Sequence, residues 1–396
     1  MRGIGRLLAL IGVYALIMVV VLEIGLRLLA PNLPGQIGVA ARYVTTGQPY
    51  AADWSPAWER NREFSYALRP GLTDSLQYGS PLVTFRLSTI ELWEGGGVGF
   101  RTDPVDFFVD AVVVGDSFGL CFTERADCWV DLLAQQTERG IVNLSQPVTG
   151  TTSHYRILRD FGAPLEPPLV IWQFFGNDFN EDYGLAVYRD EIAPVEPAGG
   201  DSAAADDTQT AWLRANSALY AVLETLFAGR YLGTPAEEAL FIKPHTLRYG
   251  PDNEHVLQFG GLYEQQALDM SREANQIGYD LSRGAFQQAQ ALIETWGGEL
   301  VVVLMPTREE VYAHLTAPVL GDDTIARLAS ARAAMRDLCT DLDLTCYDPT
   351  EDFRELARAG EALYHIDDMH LNPRGNAALA GLLVDWLAPL WPTAGS

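Results

Sequence analysis

Apolar and polar positions alternate along this chain in several distinct ways, and each predicts a different element. From Leu7 to Leu22 the run LLALIGVYALIMVVVL carries no charge; Arg2 and Arg6 precede it, and Glu23 and Arg27 interrupt an apolar continuation, EIGLRLLAP. A helix of that length, with ends able to snorkel, just crosses a hydrocarbon core of roughly 30 Å. The preceding arginines favour a cytoplasmic N-terminus and an outward-facing remainder. Residues 1–30 are therefore expected to be a membrane anchor; a cleaved signal peptide ranks second, because no small-x-small site ends the apolar run. Either reading exports the main domain.

Residues 31–110 are rich in Pro, Gly and Tyr, and LVTFRLSTIEL (Leu82–Leu92) alternates with the period of two of a half-exposed strand. A small β-rich preface packed on the main domain is expected there. From Ala111 the pattern becomes short apolar runs separated by helical stretches: AVVVG, GIVNL, LVIWQFF and ELVVVLM, with TCYD, ending at Asp348, as a shorter fifth. Continuous apolar strands of this kind are covered on both faces, which implies a parallel sheet of about five strands in a three-layer α/β/α sandwich spanning residues 111–392. Helices are expected after Cys128, after Thr152, across Tyr263–Trp296, near Thr324–Leu338 and over Pro373–Leu390, the last opened by a proline whose missing N–H is harmless at a helix start. A long insertion, about 180–262, divides the third and fourth strands. Within it Pro194–Thr210 is small and acidic, a mobile surface loop. The following AWLRANSALYAVLETLFAGR regains helical periodicity and is expected to lie over the domain as a lid or flank.

Composition narrows the chemistry. The 396 residues carry 52 acids against 27 bases, a formal charge of −25 that opposes binding to nucleic acid or anionic headgroups. Lys243 is the sole lysine, so lysine-based chemistry is nearly excluded. Cys121 and Cys128 are seven positions apart, as are Cys339 and Cys346. Two short disulfides suit an exported domain; four reduced core cysteines are the equal alternative. No CxxC or His/Cys cluster points to zinc, and neither metal nor cofactor is expected.

The polar residues at the strand ends carry the functional signal. AVVVGDSFGL (Ala111–Leu120) would lift Ser117 to the carboxyl edge of the sheet, where open parallel sheets bind ligands, with a helix N-terminus behind it. NLSQPVTGTT (Asn143–Thr152) and the Gly176-Asn177-Asp178 turn close the second and third strands on the same edge. A serine nucleophile needs a base, and LYHIDDMHLNPRG provides His370 with Asp367 and Asp368 just before it. His365 lacks a preceding acid pair and reads as structural; His154, His245, His255 and His314 read as surface or packing residues.

These stretches resemble the SGNH, or GDSL-type, hydrolase superfamily. GDSF (Gly115–Phe118) is similar to its first block, Asn177-Asp178 to its third, and DDMHLNPRG to its fifth, of form Asp-x-x-His. The likeness runs from about Ala111 to Leu390 outside the insertion and extends loosely to membrane-anchored members. It implies a flavodoxin-like sheet, with Ser117 as nucleophile and backbone oxyanion donor, Asn177 as side-chain donor, and His370 as base. It places Asp367 slightly ahead of Asp368 as the supporting acid, with both open. Three departures stand out. Val148 occupies the glycine position of the second block, with Gly150 two further on, so either peptide could complete the oxyanion hole. Phe175 replaces the glycine two before Asn177, with glycine at 176 instead. Anchored relatives often place the acid two before the histidine, which favours Asp368. The implied activity is hydrolysis of a carbohydrate or lipid O-acyl ester outside the cytoplasm. Acyl transfer to envelope glycans, or a non-catalytic glycan-binding or envelope-assembly role on the same fold, are the alternatives.

Overall fold

The computed structural model describes residues 2–33, 35–46, 57–80, 82–105, 108–195, 212–213, 215–228 and 243–391. Most of the expected acidic loop Pro194–Thr210 therefore lies outside the described residues. The chain divides into two units, residues 1–54 with 198–244, and residues 55–197 with 245–396.

The larger unit is built on a five-stranded sheet. Its strands, numbered in chain order after the six of the preface, are β7 (Ala111–Val114), β8 (Ile141–Asn143), β9 (Leu169–Phe175), β12 (Glu299–Met305) and β13 (Thr345–Tyr347). They lie in the order β13-β12-β9-β7-β8, with every pair parallel. Counted along the chain this is the 2-1-3-4-5 order of a flavodoxin-like sheet, as expected. Its topological switch lies between β7 and β9, the strands that end in Gly115 and Gly176. All seven residues of β9 are buried, which explains why all but Gln173 are apolar. Trp172 packs on Phe286 of the long helix Glu273–Glu294, while Phe175 points to the other face and meets Phe118. Helix Glu273–Glu294 in turn packs on helices Asp178–Tyr188 and Thr151–Ile157, and helix Trp129–Thr137 packs on Pro373–Leu387.

Several boundaries differ from the sequence reading. The stretch expected as one long helix over Tyr263–Trp296 breaks into Leu262–Ala267 and Glu273–Glu294, and the last helix stops at Leu387. Leu82–Leu92 yields two strands, β4 (Val83–Leu87) and β5 (Ile90–Glu91), because the chain turns at Ser88-Thr89. β4 pairs with β3 (Ser75–Ser80) as a hairpin. The other preface strands, β1 (Trp58–Asn61), β2 (Ser65–Leu68) and β6 (Gly99–Phe100), join β5 in an antiparallel sheet of order β1-β2-β6-β5. The insertion also returns a hairpin to this unit, β10 (His245–Tyr249) with β11 (His255–Phe259).

Two fastenings tie the preface to the sandwich. Buried Arg101 donates to the carbonyls of Leu120, Cys121 and Thr123, at 2.7–2.8 Å, just past the Ser117 turn. Gln146, in the loop after β8, accepts from the Leu68 N–H and donates to the Gly99 carbonyl. Both cysteine pairs are disulfides, Cys121–Cys128 and Cys339–Cys346.

In the smaller unit, helix Gly35–Thr46 occupies part of the range expected to be β-rich. It packs with the N-terminal helix Arg2–Leu29 and with helix Ala218–Ala228 of the insertion, around Ala30, Ala40, Ala41, Ala221 and Val222. Within this unit the insertion helix thus packs with the N-terminal segment.

At the end of the loop after β8, a glycine is required by contact. A Cβ on Gly150 would lie 2.4 Å from the Asp178 carbonyl and 2.5 Å from Asp182 Oδ1, so helix Thr151–Ile157 can begin there only without a side chain. Gly150→Ala is expected to destabilise the protein by about 1–3 kcal/mol, the usual range for overpacking, measured by urea unfolding of the full chain.

Candidate active site

Strand β7 ends at Val114, and Gly115-Asp116 turn the chain into the single helical turn Ser117–Leu120. The Asp116 side chain accepts from the Phe118 N–H at 2.8 Å, closing the turn. Gln173, the polar member of β9, accepts from the N–H groups of Asp116 and Gly119 at 3.0 and 3.1 Å. Asn143, at the end of β8, donates to the Gly119 carbonyl at 2.8 Å. Two neighbouring strands therefore hold the serine turn through its backbone.

The histidine arrives on a loop between helix Thr350–Arg358 and helix Pro373–Leu387. A bridge between Tyr364 and Leu371 pinches this loop, and Asn372 caps the second helix by accepting from the Gly375 N–H. Nε2 of His370 lies 2.7 Å from Oγ of Ser117. Nδ1 of His370 is hydrogen-bonded to Oδ1 of Asp368, and the same oxygen accepts the His370 backbone N–H at 2.9 Å. This is an Asx-type turn: a carboxylate bonded to the N–H two residues on lies beside that residue's ring. An ionised carboxylate only accepts, so Nδ1 carries the proton and Nε2 is bare toward the serine hydroxyl.

Of the two acids left open by the sequence, Asp368 is the one in contact with the His370 ring. Asp367 turns the other way, accepting from Ser80 Oγ at 2.7 Å and the Leu82 N–H at 3.3 Å, at the tip of the β3–β4 hairpin. Being three positions before the histidine, it cannot close the two-residue Asx turn, and the preface engages it instead. Burial acts to raise the Asp368 carboxyl, but the His370 imidazole and its hydrogen bonds outweigh that and hold it well below the usual carboxylate range.

Aromatic rings fix the imidazole laterally, with Phe118 at 4.7 Å and Phe122 at 4.1 Å between ring centroids. Phe122 stacks in turn on Phe85 of the preface, and its carbonyl lies 3.1 Å from Nε2 of His365. His365 thus supports the wall of the site, in keeping with a structural reading. Fully buried Arg308 donates to the Asp368 carbonyl at 2.8 Å and carries the peptide on which the acid sits.

Asn177 begins helix Asp178–Tyr188 at the end of β9. Its amide Nδ2 donates to Tyr263 Oη at 3.2 Å, and that hydroxyl donates to Glu181 Oε1 at 2.9 Å. Because Glu181 takes the Tyr263 proton, the phenol oxygen is left to accept, and this orients the amide with one N–H to spare. Val148 is held at φ 55°, a left-handed conformation that glycine adopts freely and a β-branched residue resists. The glycine position of the second block thus retains a glycine-like backbone while bearing valine. Gly150, at φ −108°, is extended and serves the helix contact described above.

Below this edge lies a set of buried acids that the sequence reading did not single out. Burial pushes Asp116 up to about 6 and Asp182 up to about 7, and raises Asp178 well above the usual carboxylate range, with Asp116, Asp182 and Glu181 adding to the effect on Asp178. Asp182 accepts from the Thr152 N–H at 2.7 Å and from Ser282 Oγ at 2.6 Å, joining three helices. His154 is wholly buried, 3.8 Å from Asp178, and burial lowers it to about 3. It is a core residue. Gln173, Arg308, Tyr263 and Ser80 also escaped the sequence reading; only Gln173 left a trace, as a polar residue inside an apolar strand.

No family model matches the chain, and no curated protein does. Among solved structures it is similar to an acetyl xylan esterase, AlAXEase, at 11% identity over 70% of this chain and 98% of that one, with a TM-score of 0.36. The lipase/acylhydrolase from Enterococcus faecalis is similar at 10% identity, over 73% and 100% of the two chains, with a TM-score of 0.38. A member of the lipolytic protein G-D-S-L family from Veillonella parvula DSM 2008 is similar at 9% identity, over 70% and 97%, with a TM-score of 0.37. Likenesses this low carry no functional argument, and the residues must supply it.

Two outcomes follow from the geometry. Asp368→Asn should slow fluorophosphonate labelling of Ser117 by on the order of 10²–10⁴-fold, as loss of the tautomer-fixing acid does in serine triads. Asp367→Asn should slow it by less than about tenfold while lowering stability by roughly 1 kcal/mol, the value of one hydrogen bond. A separate outcome concerns pH. An acid raised in the folded state keeps a proton that the unfolded chain releases, so the fold loses stability as pH rises from about 4 through the folded value. For Asp182 that window closes near 7. Wild type should therefore gain on Asp182→Asn by about 1.4 kcal/mol per pH unit as pH falls from 7 toward 5, measured by parallel denaturant titrations.

Proposed function

We propose that this chain is a membrane-anchored, extracytoplasmic serine hydrolase of the SGNH type that cleaves O-acyl esters of carbohydrates or lipids. The observation that carries the reading is the relay of contacts from Asp368 through His370 to Ser117, with 2.7 Å between Nε2 and Oγ. A serine hydroxyl has little nucleophilicity of its own, and a bare imidazole nitrogen at that distance is the group that takes its proton.

In this mechanism Ser117 Oγ bonds to the ester carbonyl carbon as its proton passes to His370 Nε2. The imidazolium formed is stabilised by Asp368. The carbonyl oxygen, now an alkoxide, is held by the Ser117 N–H, the Asn177 amide and a peptide N–H of the Val148–Gly150 turn. One such donor is worth roughly 3–4 kcal/mol in the transition state. Collapse breaks the ester C–O bond, and His370 returns its proton to the departing alcohol. Water then attacks the acyl-serine, giving its proton to His370. The second collapse releases the carboxylic acid and restores the Ser117 hydroxyl. Had a sugar hydroxyl replaced that water, the same residues would perform acyl transfer.

The anchor part of the reading is supported by the N-terminal helix, whose Leu10–Asn32 stretch of 23 residues is long and apolar enough to cross a membrane. A signal sequence satisfies the same test. The direction of insertion is inferred from Arg2 and Arg6.

The test is labelling by a fluorophosphonate and turnover of p-nitrophenyl esters of increasing acyl length. Wild type should label at Ser117, and Ser117→Ala should abolish both labelling and turnover. Preference for acetyl assigns a carbohydrate ester and preference for long chains a lipid ester. A chain that neither labels nor turns over any ester is not the enzyme proposed.

A further inference from the structure

Glu23 and Arg27 are out of place in an apolar helix. Past Glu23 the helix remains apolar and exposed: Ile24, Leu28 and Leu29 present 52, 74 and 54% of their surface. A carboxylate and a guanidinium within such a stretch are expensive in hydrocarbon unless their hydrogen-bonding capacity is met by the protein. Here it is met by the insertion. Oε1 of Glu23 accepts the Ala218 N–H at 3.0 Å and Arg27 Nε at 2.7 Å; Oε2 accepts the Leu219 N–H at 2.8 Å and Ser217 Oγ at 2.9 Å. Arg27 Nη2 donates to the Asn216 carbonyl at 2.6 Å. A carboxylate on one helix thus caps the N-terminus of another almost two hundred residues away, where free N–H groups and the positive dipole end favour an anion.

The helix so held, Ala218–Ala228, is itself apolar on more than its buried side. Ala218, Ala221 and Val222 are buried within the three-helix unit, yet Leu223 and Leu226 are 42 and 56% exposed. Trp212, 64% exposed, and Leu213 are helical and lie shortly before it in the chain. These exposed side chains belong to the same unit as the N-terminal helix, on which helix Ala218–Ala228 packs.

We propose that Glu23 and Arg27 are a clamp that seats the insertion helix on the anchor at the membrane surface, with Trp212, Leu213, Leu223 and Leu226 in the headgroup and upper acyl region of a phospholipid bilayer. This rests on the membrane-spanning reading of the N-terminal helix. Tryptophan and leucine beside a spanning helix suit the interface, where an apolar face is buried and backbone ends remain near water. A zwitterionic surface is the match, given the chain's charge of −25. The insertion then anchors the chain a second time.

The test uses the full chain in phosphatidylcholine nanodiscs. All four native cysteines are in disulfides, so single cysteines introduced as Val19→Cys and Leu226→Cys can be labelled with an environment-sensitive fluorophore. Nitroxide carried on lipid should quench the Leu226→Cys probe to within about twofold of the Val19→Cys probe, and iodide in the buffer should quench neither strongly. Adding Glu23→Ala should return the Leu226→Cys probe to iodide quenching while leaving the Val19→Cys probe quenched by lipid. If the probe at 19 is lipid-quenched and that at 226 responds only to iodide, the second attachment is wrong and the anchor stands. If the probe at 19 is not lipid-quenched, the anchor fails and this proposal with it. Unchanged quenching at 226 in the Glu23→Ala protein overturns the clamp.

Discussion

The proposed chemistry needs a hydroxyl and an imidazole, drawn from positions 117 and 370, to stay within hydrogen-bonding distance, and much of the surrounding structure holds the loops that carry them. The two groups reside on loops, which are soft, and a displacement of about 1 Å is enough to spoil proton transfer. Each loop is therefore held from beneath by buried polar groups. Gln173 and Asn143 grip the serine turn through its peptides, and Arg308 grips the peptide of Asp368. Phe118 and Phe122 confine the ring from its sides. The support acts on backbone, which leaves the Ser117 and His370 side chains free to exchange a proton.

The same edge of the sheet is acidic, and a developing oxyanion would be opposed by ionised carboxylates nearby. Asp116 adjoins the nucleophile; Asp178 adjoins Asn177; Glu181 and Asp182 follow one turn later. Burial favours the neutral form of each. Asp368 is the acid driven the other way, because it alone among them bonds to an imidazole. One carboxylate is held charged where the proposed chemistry would form a cation, and burial raises its neighbours where that chemistry would form an anion. This also gives the proposed chemistry a physical basis in burial depth, in a chain whose overall charge would argue against stabilising an anion.

The sheet was legible in the sequence because fully buried parallel strands leave an unmistakable record. LVIWQFF and ELVVVLM have no polar face to show, and their strands are where the apolar runs fall. The pairing of Ser117 with His370 was legible because both occur in short motifs at element boundaries, which local sequence controls. What escaped was long-range. Nothing local distinguishes Asp367 from Asp368; the choice is made by a hairpin nearly three hundred residues upstream that offers Ser80 to one of them. Tyr263 orients Asn177 across the insertion, and Arg308 reaches Asp368 from the end of β12, both contacts between segments with no sequence relation. The break at residues 268–272 was hidden as well, since periodicity continues across it. Glu23 read only as an interruption of an apolar run, because its partner helix lies in the insertion.

The preface is where these omissions matter most. Read along the chain, residues 31–110 are a β-rich preface packed on the main domain, with no evident part in the site. In the structure they supply Ser80 to the loop that carries His370, Phe85 to the wall behind its ring, Arg101 to the carbonyls just past the Ser117 turn, and the Leu68 and Gly99 peptides to Gln146 in the loop that bears Val148. All three strand-end loops of the first blocks and the histidine loop could in principle form without it, since the sheet and its helices are complete. Yet three of those four loops are tied down by preface atoms, and a left-handed valine in one of them needs such restraint to persist. The preface is best understood as the outer half of the site. The sandwich creates the edge on which nucleophile and base can meet, and the preface holds the loops in the one arrangement where they do.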